Sequence, residues 1–384
     1  MTAAPLRLGI AGLGTVGVGV LKMIQKNAVL ITQRTGREVT VSAVCAQSRD
    51  KDRGVDLSGY AWEDDPVVLA KRDDVDVFVE LIGGSTGPAK QATQAAIAAG
   101  KDVITANKAM LAEHGHSLAL SAEAAGRVIR YEAAVAGGIP VVKALTEGLA
   151  GNEVQRVLGV MNGSCNYILT RMEDAGLTYE EVFAEADGLG YLEADPNLDV
   201  GGIDAAHKLA ILASIAFGTE VDFASVVIEG IGAITIEDIR AAADMGYRVK
   251  LLGVAQKTGR GLEQRMTPCL VPANSPLGQL QGGTNMVILE GGDVGQIVLR
   301  GAGAGEGVHG EDEETKGYER GRERAEVLRR HAARGAGQGG RGHRGDHVSG
   351  SLVARGAGAI NNQTDIFTTI RRLTPSSASA AWAR

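Results

Sequence analysis

Cysteine is scarce in this chain: Cys45, Cys165 and Cys269 are the only three among 384 residues. Three thiols so far apart build no disulfide framework, and with no CxxC pair and no His/Cys cluster the signature of a zinc site is missing too. Long apolar runs are also lacking. The longest is about ten residues, well short of the roughly 20 that a membrane-crossing helix needs. Nor is there an excess of positive charge. The formal net charge is -7, which argues against gripping nucleic acid or an anionic membrane as the business of the whole chain. The opening "MTAAPLRLGIAGLG" is apolar enough to suggest a leader, but glycines interrupt it at once, so it reads as a strand and a turn. A composition 44% hydrophobic and 22% charged predicts a soluble, cytoplasmic globular protein. Its length allows two domains of roughly 150 residues each.

What is present falls into two rhythms. In the first, strand-like runs at 39–46, 75–83, 101–107 and 127–135 follow the opening strand, with helical patterns between them at 88–100 and 116–126. Buried strands alternating with helices predict a parallel sheet covered on both faces. After residue 140 the rhythm changes. Pro140 suits the first turn of a helix, "VQRVLGVMN" reads as a strand, and "CNYILTRMEDAG", "TYEEVFAEADGLG" and "IDAAHKLAILASIAFG" read as helices, the last ended by Gly218. "KLLGVAQK", "EQRMTPCLV" and "MVILEGGDVGQIVLRG" read as strands without regular crossover helices, the last as a hairpin turning at Gly291-Gly292. The expected fold class is α/β: an N-terminal Rossmann nucleotide-binding domain, 1–139, then an α+β domain, 140–307, with a mainly antiparallel sheet.

Gly12-Leu13-Gly14-Thr15-Val16-Gly17 spells GxGxxG between a predicted strand and a predicted helix. Glycines there let backbone N–H groups approach a pyrophosphate at the positive end of the helix. In a chain with 54 glycines the pattern alone is weak, and a tight turn without a ligand is the bland alternative. At the end of the second strand, where an acid would bind the ribose 2′-hydroxyl of NAD, the chain reads Cys45-Ala46-Gln47-Ser48-Arg49, with Lys51 and Arg53 close behind. No acid occurs from Cys45 to Arg49, and although Asp50 and Asp52 alternate with the cations that follow, the reading favours a 2′-phosphate and so NADP, with NAD as the other option and a solvated basic loop as the bland one.

The stretch "GLGYLEADPNLDVGGIDAAHK", 188–208, gathers Glu193, Asp195, Asp199, Asp204 and Lys208 ahead of an apolar helix. Asp204 and Lys208 are four apart and share a helix face. As a surface ion pair they would contribute only a few tenths of a kcal/mol. Their face borders a run that must be core, which places Lys208 at the edge of a buried region. Withdrawal from water brings an ammonium closer to proton exchange near neutral pH. Glu193 is placed to hold a substrate ammonium. Asp195, before Pro196, and Asp199 read as turn residues, and His207 as a packed or solvent-edge histidine. A hydride carrier, a proton shuttle and carboxylates for an amine are the parts of a dehydrogenase acting on a small hydroxy amino acid.

Residues 1–307 resemble homoserine dehydrogenase almost throughout, on "GLGTVG" (12–17), "VITANKAMLA" (103–112), "YEAAVAGGIP" (131–140), "NGSCNYILT" (162–170), "GLGYLEADPNLDVGGIDAAHKLAIL" (188–212) and "GAGAGEG" (301–307). The resemblance implies an oxidoreductase that interconverts L-homoserine and L-aspartate 4-semialdehyde with NAD(P), in threonine and methionine biosynthesis. It implies Lys208 as proton donor and acceptor, Glu193 and Asp204 as substrate carboxylates, and Lys108 against cofactor and substrate. It further implies Gly190 and Gly305 as backbone contacts to the dinucleotide and Asp199 as an aid in placing Lys208. Glu132 with the main chain of Val135, Gly137 and Ile139 is similar to the family's sodium site; a carboxylate with carbonyls suits a hard cation, the alternative being a hydrogen-bonded carboxylate where a helix starts. A homodimer through the antiparallel sheet is implied as well. Two other readings are an aspartate-semialdehyde dehydrogenase using Cys165 as acyl nucleophile and a dinucleotide-binding protein without turnover.

Beyond Gly307 the resemblance stops. The family continues with "PTASAV" into a helix on the nucleotide domain, and many members add a regulatory ACT domain that binds threonine; here 308–384 is Arg- and Gly-rich, with twelve Arg against one Lys. Four of the seven histidines fall in it: His309, His331, His343 and His347. The expectation is an out-of-frame or otherwise non-homologous tail that stays disordered and lacks an ACT domain. "RGAGQGGRGHRG" has the look of an RGG segment but no interleaved aromatics, so no nucleic-acid partner is expected. Translating the coding DNA in its other two frames checks this: one frame is expected to yield a "PTASAV"-like helix after residue 307, and its absence from both would end the frameshift reading.

Overall fold

The structure, a computed structural model, describes residues 4–192 and 195–303. Six strands make the first sheet: β1 (Leu6–Ala11), β2 (Val39–Cys45), β3 (Ala61–Glu63), β4 (Val77–Glu80), β5 (Asp102–Thr105) and β6 (Ile129–Arg130). All pair in parallel, in the order β3-β2-β1-β4-β5-β6. Helices α1 (Thr15–Thr35), α2 (Pro66–Lys71), α3 (Pro88–Ala98) and α4 (Lys108–Ala124) cross between them. Apolar clusters line both faces of the sheet, one around Leu8, Ile10, Leu21 and Val79, the other around Phe78, Ala92, Val103 and Met110. This is the Rossmann arrangement that the alternation predicted. Strand order reverses between β1 and β4, which opens a crevice at their carboxyl ends.

The second sheet contains β7 (Val154–Val160), β8 (Val227–Ile228), β9 (Tyr247–Thr258), β10 (Gly261–Pro272), β11 (Thr284–Gly291) and β12 (Gly295–Ala302). Its order is β12-β11-β7-β9-β10-β8, antiparallel throughout except where β8 runs parallel to β10. The remaining helices are α5 (Val141–Lys143), which widens into a π turn over Ala144–Gly148, α6 (Gly163–Ala175), α7 (Tyr179–Gly188), α8 (Pro196–Val200), α9 (Ile203–Phe217) and α10 (Ile236–Asp244). The largest apolar cluster joins Val157, Leu251 and Val287 of this sheet to Ile168, Leu209 and Leu212 of α6 and α9. α9 also packs on α4, so the two sheets meet along a helix pair. Local signals explain several helix starts. Thr178 and Glu181 form a capping box on α7, and Asp65 caps α2 ahead of Pro66.

Three details differ from the sequence reading. The strand expected over 127–135 pairs only at Ile129 and Arg130. The chain then turns as a short 3-10 helix, Glu132–Ala134, because the Glu132 carboxylate is drawn inward to cap α5. α4 starts eight residues before the predicted helix, at Lys108, where Asn107 accepts a hydrogen bond from the Met110 N–H at 3.0 Å. The elements β3, α2 and α10 were not foreseen at all.

Two of the three fingerprint glycines are demanded by the protein itself. A Cβ on Gly12, at φ 99°, would lie 2.2 Å from the Leu81 carbonyl oxygen, and one on Gly17 would lie 2.0 Å from the Gly12 oxygen. A Cβ on Gly14 would meet nothing within 4 Å and would project into open space at the start of α1. Gly12→Ala is expected to lower stability by about 2 kcal/mol or more through backbone strain. Gly14→Ala is expected to keep stability and to weaken dinucleotide binding. Urea unfolding and a binding titration of the two variants check this contrast.

Candidate active site

The Asp204 carboxylate lies where α9 meets α4. Its Oδ2 accepts from Lys208 Nζ at 2.7 Å, one turn along the same helix, and its Oδ1 pairs with Lys108 Nζ at 2.8 Å, at the start of α4. Asp204 is 5% exposed and Lys208 is 9% exposed. Burial pushes the Asp204 carboxyl up, but the charges and hydrogen bonds of Lys208 and Lys108 outweigh it and hold the group well below the usual carboxylate range. Lys208 Nζ also donates to the Met161 carbonyl at 2.8 Å. An ammonium has three protons; two have acceptors among the described residues, the Asp204 carboxylate and the Met161 carbonyl. The surface-pair reading of Asp204 and Lys208 therefore does not hold.

Asn162, just past β7, ties this cluster together. Its Oδ1 accepts from the Cys165 N–H at 2.7 Å and caps α6, while its Nδ2 donates to Asp199 Oδ1 at 2.9 Å and to Asp204 Oδ2 at 3.4 Å. Asp199 is buried beside the pair and is not a turn residue. Asp195 does serve the turn, accepting from the Asn197 N–H at 3.1 Å to cap α8. Cys165 is fully buried, its thiol donates to the Asp199 carbonyl, and burial together with Asp199 and Asp204 pushes that thiol well up. Such a thiol supplies no thiolate, which removes the support for an acyl-transfer reading. His207 packs against the Phe223 ring with centroids 4.3 Å apart; burial lowers its affinity for a proton, so it is a packed histidine as expected. Tyr191 stacks on Tyr167 at 4.5 Å, and Ser164 donates to the Tyr191 carbonyl at 2.7 Å, which fixes the chain just before Glu193. Glu193 and Gly305 themselves lie outside the described residues, as does the expected tail 308–384.

The crevice beside β1 fits a dinucleotide. Gly14 caps α1 without any side-chain hydrogen bond, the first turn has no acidic residue, and the space beside the Gly14 Cα is open, an arrangement that suits an anion at the helix start. At the end of β2, Arg53 donates to the carbonyls of Leu13 at 3.2 Å and Lys51 at 2.9 Å, tying the glycine loop to the basic loop. Arg49 and Arg53 both lie over the Trp62 ring, at 5.9 and 5.7 Å from its centroid. Gly190, at φ 73°, ends α7 in the left-handed region.

Glu132 is 2% exposed, and its two oxygens accept from the Val142 and Lys143 N–H groups, each at 2.9 Å. Between Val135 and Gly137, Ala136 is held at φ 52°, the one left-handed non-glycine among the described residues. No cluster of three His, Cys, Asp or Glu able to hold a metal occurs among the described residues. One carboxylate escaped the sequence reading. Glu80, at the end of β4, is completely buried and accepts from the N–H groups of Ile82 and Gly83 and from the Thr105 hydroxyl. An acid ending an otherwise apolar strand was its only signal.

Comparison with known proteins agrees with this geometry. Family models described as homoserine dehydrogenase and as homoserine dehydrogenase, NAD binding domain match residues 140–311 and 12–132. A homoserine dehydrogenase of Neisseria gonorrhoeae is 46% identical over 301 residues, which is 78% of this chain and 69% of that protein. The chain belongs to the homoserine dehydrogenase family. The Pseudomonas aeruginosa member is 44% identical with the same coverage. The structure of the Thiobacillus denitrificans homoserine dehydrogenase matches with a TM-score of 0.76 at 44% identity, over 78% of this chain and 69% of that one. A hyperthermophilic archaeal homoserine dehydrogenase in complex with NADPH shares the fold, with a TM-score of 0.66 at 24% identity, over 78% and 92% of the two chains. The chain is thus an oxidoreductase with a nicotinamide-dinucleotide-binding domain, and no helix among the described residues is long and apolar enough to cross a membrane.

A carboxyl held below its unfolded value contributes stability that is complete above about pH 4 and is lost as the pH falls toward its folded value. Asp204→Asn is expected to cost about 3 kcal/mol at neutral pH, because Lys208 is left buried without its counter-charge. The cost is expected to shrink as the pH drops below about 4. Urea unfolding of both proteins at neutral pH and at low pH checks this.

Proposed function

We propose that the chain carries out the homoserine dehydrogenase reaction through Lys208. The observation that carries this reading is the Lys208 ammonium, anchored by Asp204 and the Met161 carbonyl and with no third acceptor among the described residues. Oxidation of L-homoserine removes a proton from its hydroxyl and a hydride from the adjoining carbon. The bound dinucleotide supplies the hydride acceptor, or the donor in reverse. As the semialdehyde is reduced, the Lys208 ammonium gives a proton to the aldehyde oxygen and becomes the neutral amine; as homoserine is oxidised, the neutral amine takes the hydroxyl proton and becomes the ammonium. Asp204 and Glu193 hold the substrate ammonium, and Lys108 lies against cofactor and substrate. Gly12, Leu13, Gly14, Thr15, Val16 and Gly17 cradle the pyrophosphate, with Gly190 and Gly305 adding backbone contacts.

Arg49 is the proposed partner of a 2′-phosphate, which makes NADP the favoured cofactor. The absence of an acid at the end of β2 supports this, as does the commitment of Arg53 to main-chain carbonyls. A monovalent cation such as sodium is proposed at Glu132 with the main chain of Val135, Gly137 and Ile139. Supporting it are the buried carboxylate and the left-handed turn at Ala136. The proposed organisation is a nucleotide domain, 1–139, and a catalytic and dimerisation domain, 140–307, in a homodimer; in support, one family model ends at residue 132 and the other begins at 140.

Initial rates with L-homoserine test the reading. Lys208→Ala is expected to lose about a thousandfold in kcat, and undiminished turnover would refute the role. Arg49→Ala is expected to raise the KM for NADP about tenfold, the loss of one charge-assisted contact, and to leave the KM for NAD nearly unchanged. Equal changes for both cofactors would remove Arg49 from 2′-phosphate recognition.

A further inference from the structure

We infer that Glu80 is a positioning residue that sets both the glycine loop beside the nucleotide crevice and the helix start that presents Lys108. The inference rests on the proposed function only for the role of Lys108. The carboxylate lies at the end of β4, at 0% exposure, beside the point where strand order reverses. A buried carboxylate in that place must be matched by donors, and three are present. Oε1 accepts from the Ile82 N–H at 2.7 Å and the Gly83 N–H at 3.2 Å. Oε2 accepts from the Thr105 hydroxyl, on the neighbouring strand β5. The loop that Glu80 fixes is the one against which Gly12 packs, since a Cβ on Gly12 would strike Leu81 O and Ile82 N.

The network continues toward the catalytic groups. Having donated its proton to Glu80, Thr105 Oγ1 accepts from the Asn107 N–H at 3.0 Å. Asn107 Nδ2 donates to the Gly84 carbonyl at 2.7 Å, returning to the same loop, and its Oδ1 caps α4 at Met110. The residue after Asn107 is Lys108, whose ammonium spans to Asp204. Glu80 thus fixes two things that a ligand must meet together, the chain 81–84 and the origin of α4. Glutamine could keep the chain of contacts, its oxygen on the two N–H groups and its amide N–H donating to Thr105 Oγ1, whose hydroxyl can accept as well as donate. Methionine, of similar length and without a strong acceptor, cannot: both the loop N–H groups and the Thr105 hydroxyl lose their partner.

The test compares Glu80→Met, Thr105→Val, Thr105→Ser and the Glu80→Met/Thr105→Val pair with the unaltered chain. Thr105→Val keeps the side-chain shape and removes only the link. Glu80→Met and Thr105→Val are each expected to lower kcat for homoserine by about tenfold or more, since displacement of a positioned group by an ångström costs up to about a hundredfold. The pair is expected to be no worse than Glu80→Met alone, because both changes cut one chain of contacts. Thr105→Ser, which restores the hydroxyl, is expected to recover activity to within about twofold. Circular dichroism separates loss of fold from loss of position. If Glu80→Met fails to fold, Thr105→Val and its serine rescue decide alone. Kinetics of Thr105→Val equal to those of the unaltered chain, or effects that multiply independently in the pair, would overturn the inference. NADPH fluorescence titration runs in parallel, with Kd expected to rise about fivefold in Thr105→Val through the displaced loop. Should the unaltered chain bind NADPH but not turn over homoserine, the proposed function fails, and this titration alone decides the role of Glu80: an unchanged Kd sinks it.

Discussion

A carboxylate buried between two ammonium groups is the interaction on which the rest depends. Removing Asp204 from water costs several kcal/mol, and one lysine alone would offset little of that. Two are supplied, from different parts of the fold. Lys208 comes from α9, on the second sheet, and Lys108 from α4, on the first. The favourable state of Asp204 therefore exists only when α4 and α9 are packed together. The charge that serves the chemistry also enforces the junction of the two halves.

Around that junction, directed hydrogen bonds join residues far apart in sequence. Met161 accepts from Lys208, Asn162 donates to Asp204, and Asp199 in turn holds Asn162. On the other side, Glu80, Thr105 and Asn107 fix where α4 begins. Apolar packing supplies the bulk of the stability in both halves, but it does not specify the position of an ammonium to a fraction of an ångström. Fully satisfied buried polar networks do that.

The sequence made part of this legible. GLGTVG was readable because a strand, three glycines and a helix must follow one another within a short stretch, and the structure retains that order in β1 and α1. The face shared by Asp204 and Lys208 followed from helical spacing alone. The second sheet was readable as antiparallel from its lack of crossovers, though the short strand β8 pairs in parallel. What escaped depended on partners distant in sequence. The strand expected over 127–135 fails because Glu132 is drawn to N–H groups ten and eleven residues later. Lys108 starts a helix because Asn107 caps it, in a stretch that reads equally well as a loop. Glu80 is one acid at the end of an apolar strand, and its meaning lies in Thr105, 25 residues away.

Cys165 shows how the same neighbourhood selects one chemistry over another. Cys165 and Lys208 are both buried near Asp199 and Asp204, and each could in principle act on a carbonyl. The carboxylates decide between them. Negative charge disfavours a thiolate and favours an ammonium, so burial beside two acids pushes the thiol up while anchoring the lysine. The thiol's single proton is spent on the Asp199 carbonyl, whereas the ammonium, with three, has two acceptors among the described residues, and the third proton is the one proposed for a substrate oxygen. A site with a proton to give but no nucleophile stabilises the oxygen of an alcohol–aldehyde pair and forms no acyl-enzyme. The electrostatics of Asp199 and Asp204 thus favour hydride chemistry over acyl transfer before any cofactor is considered.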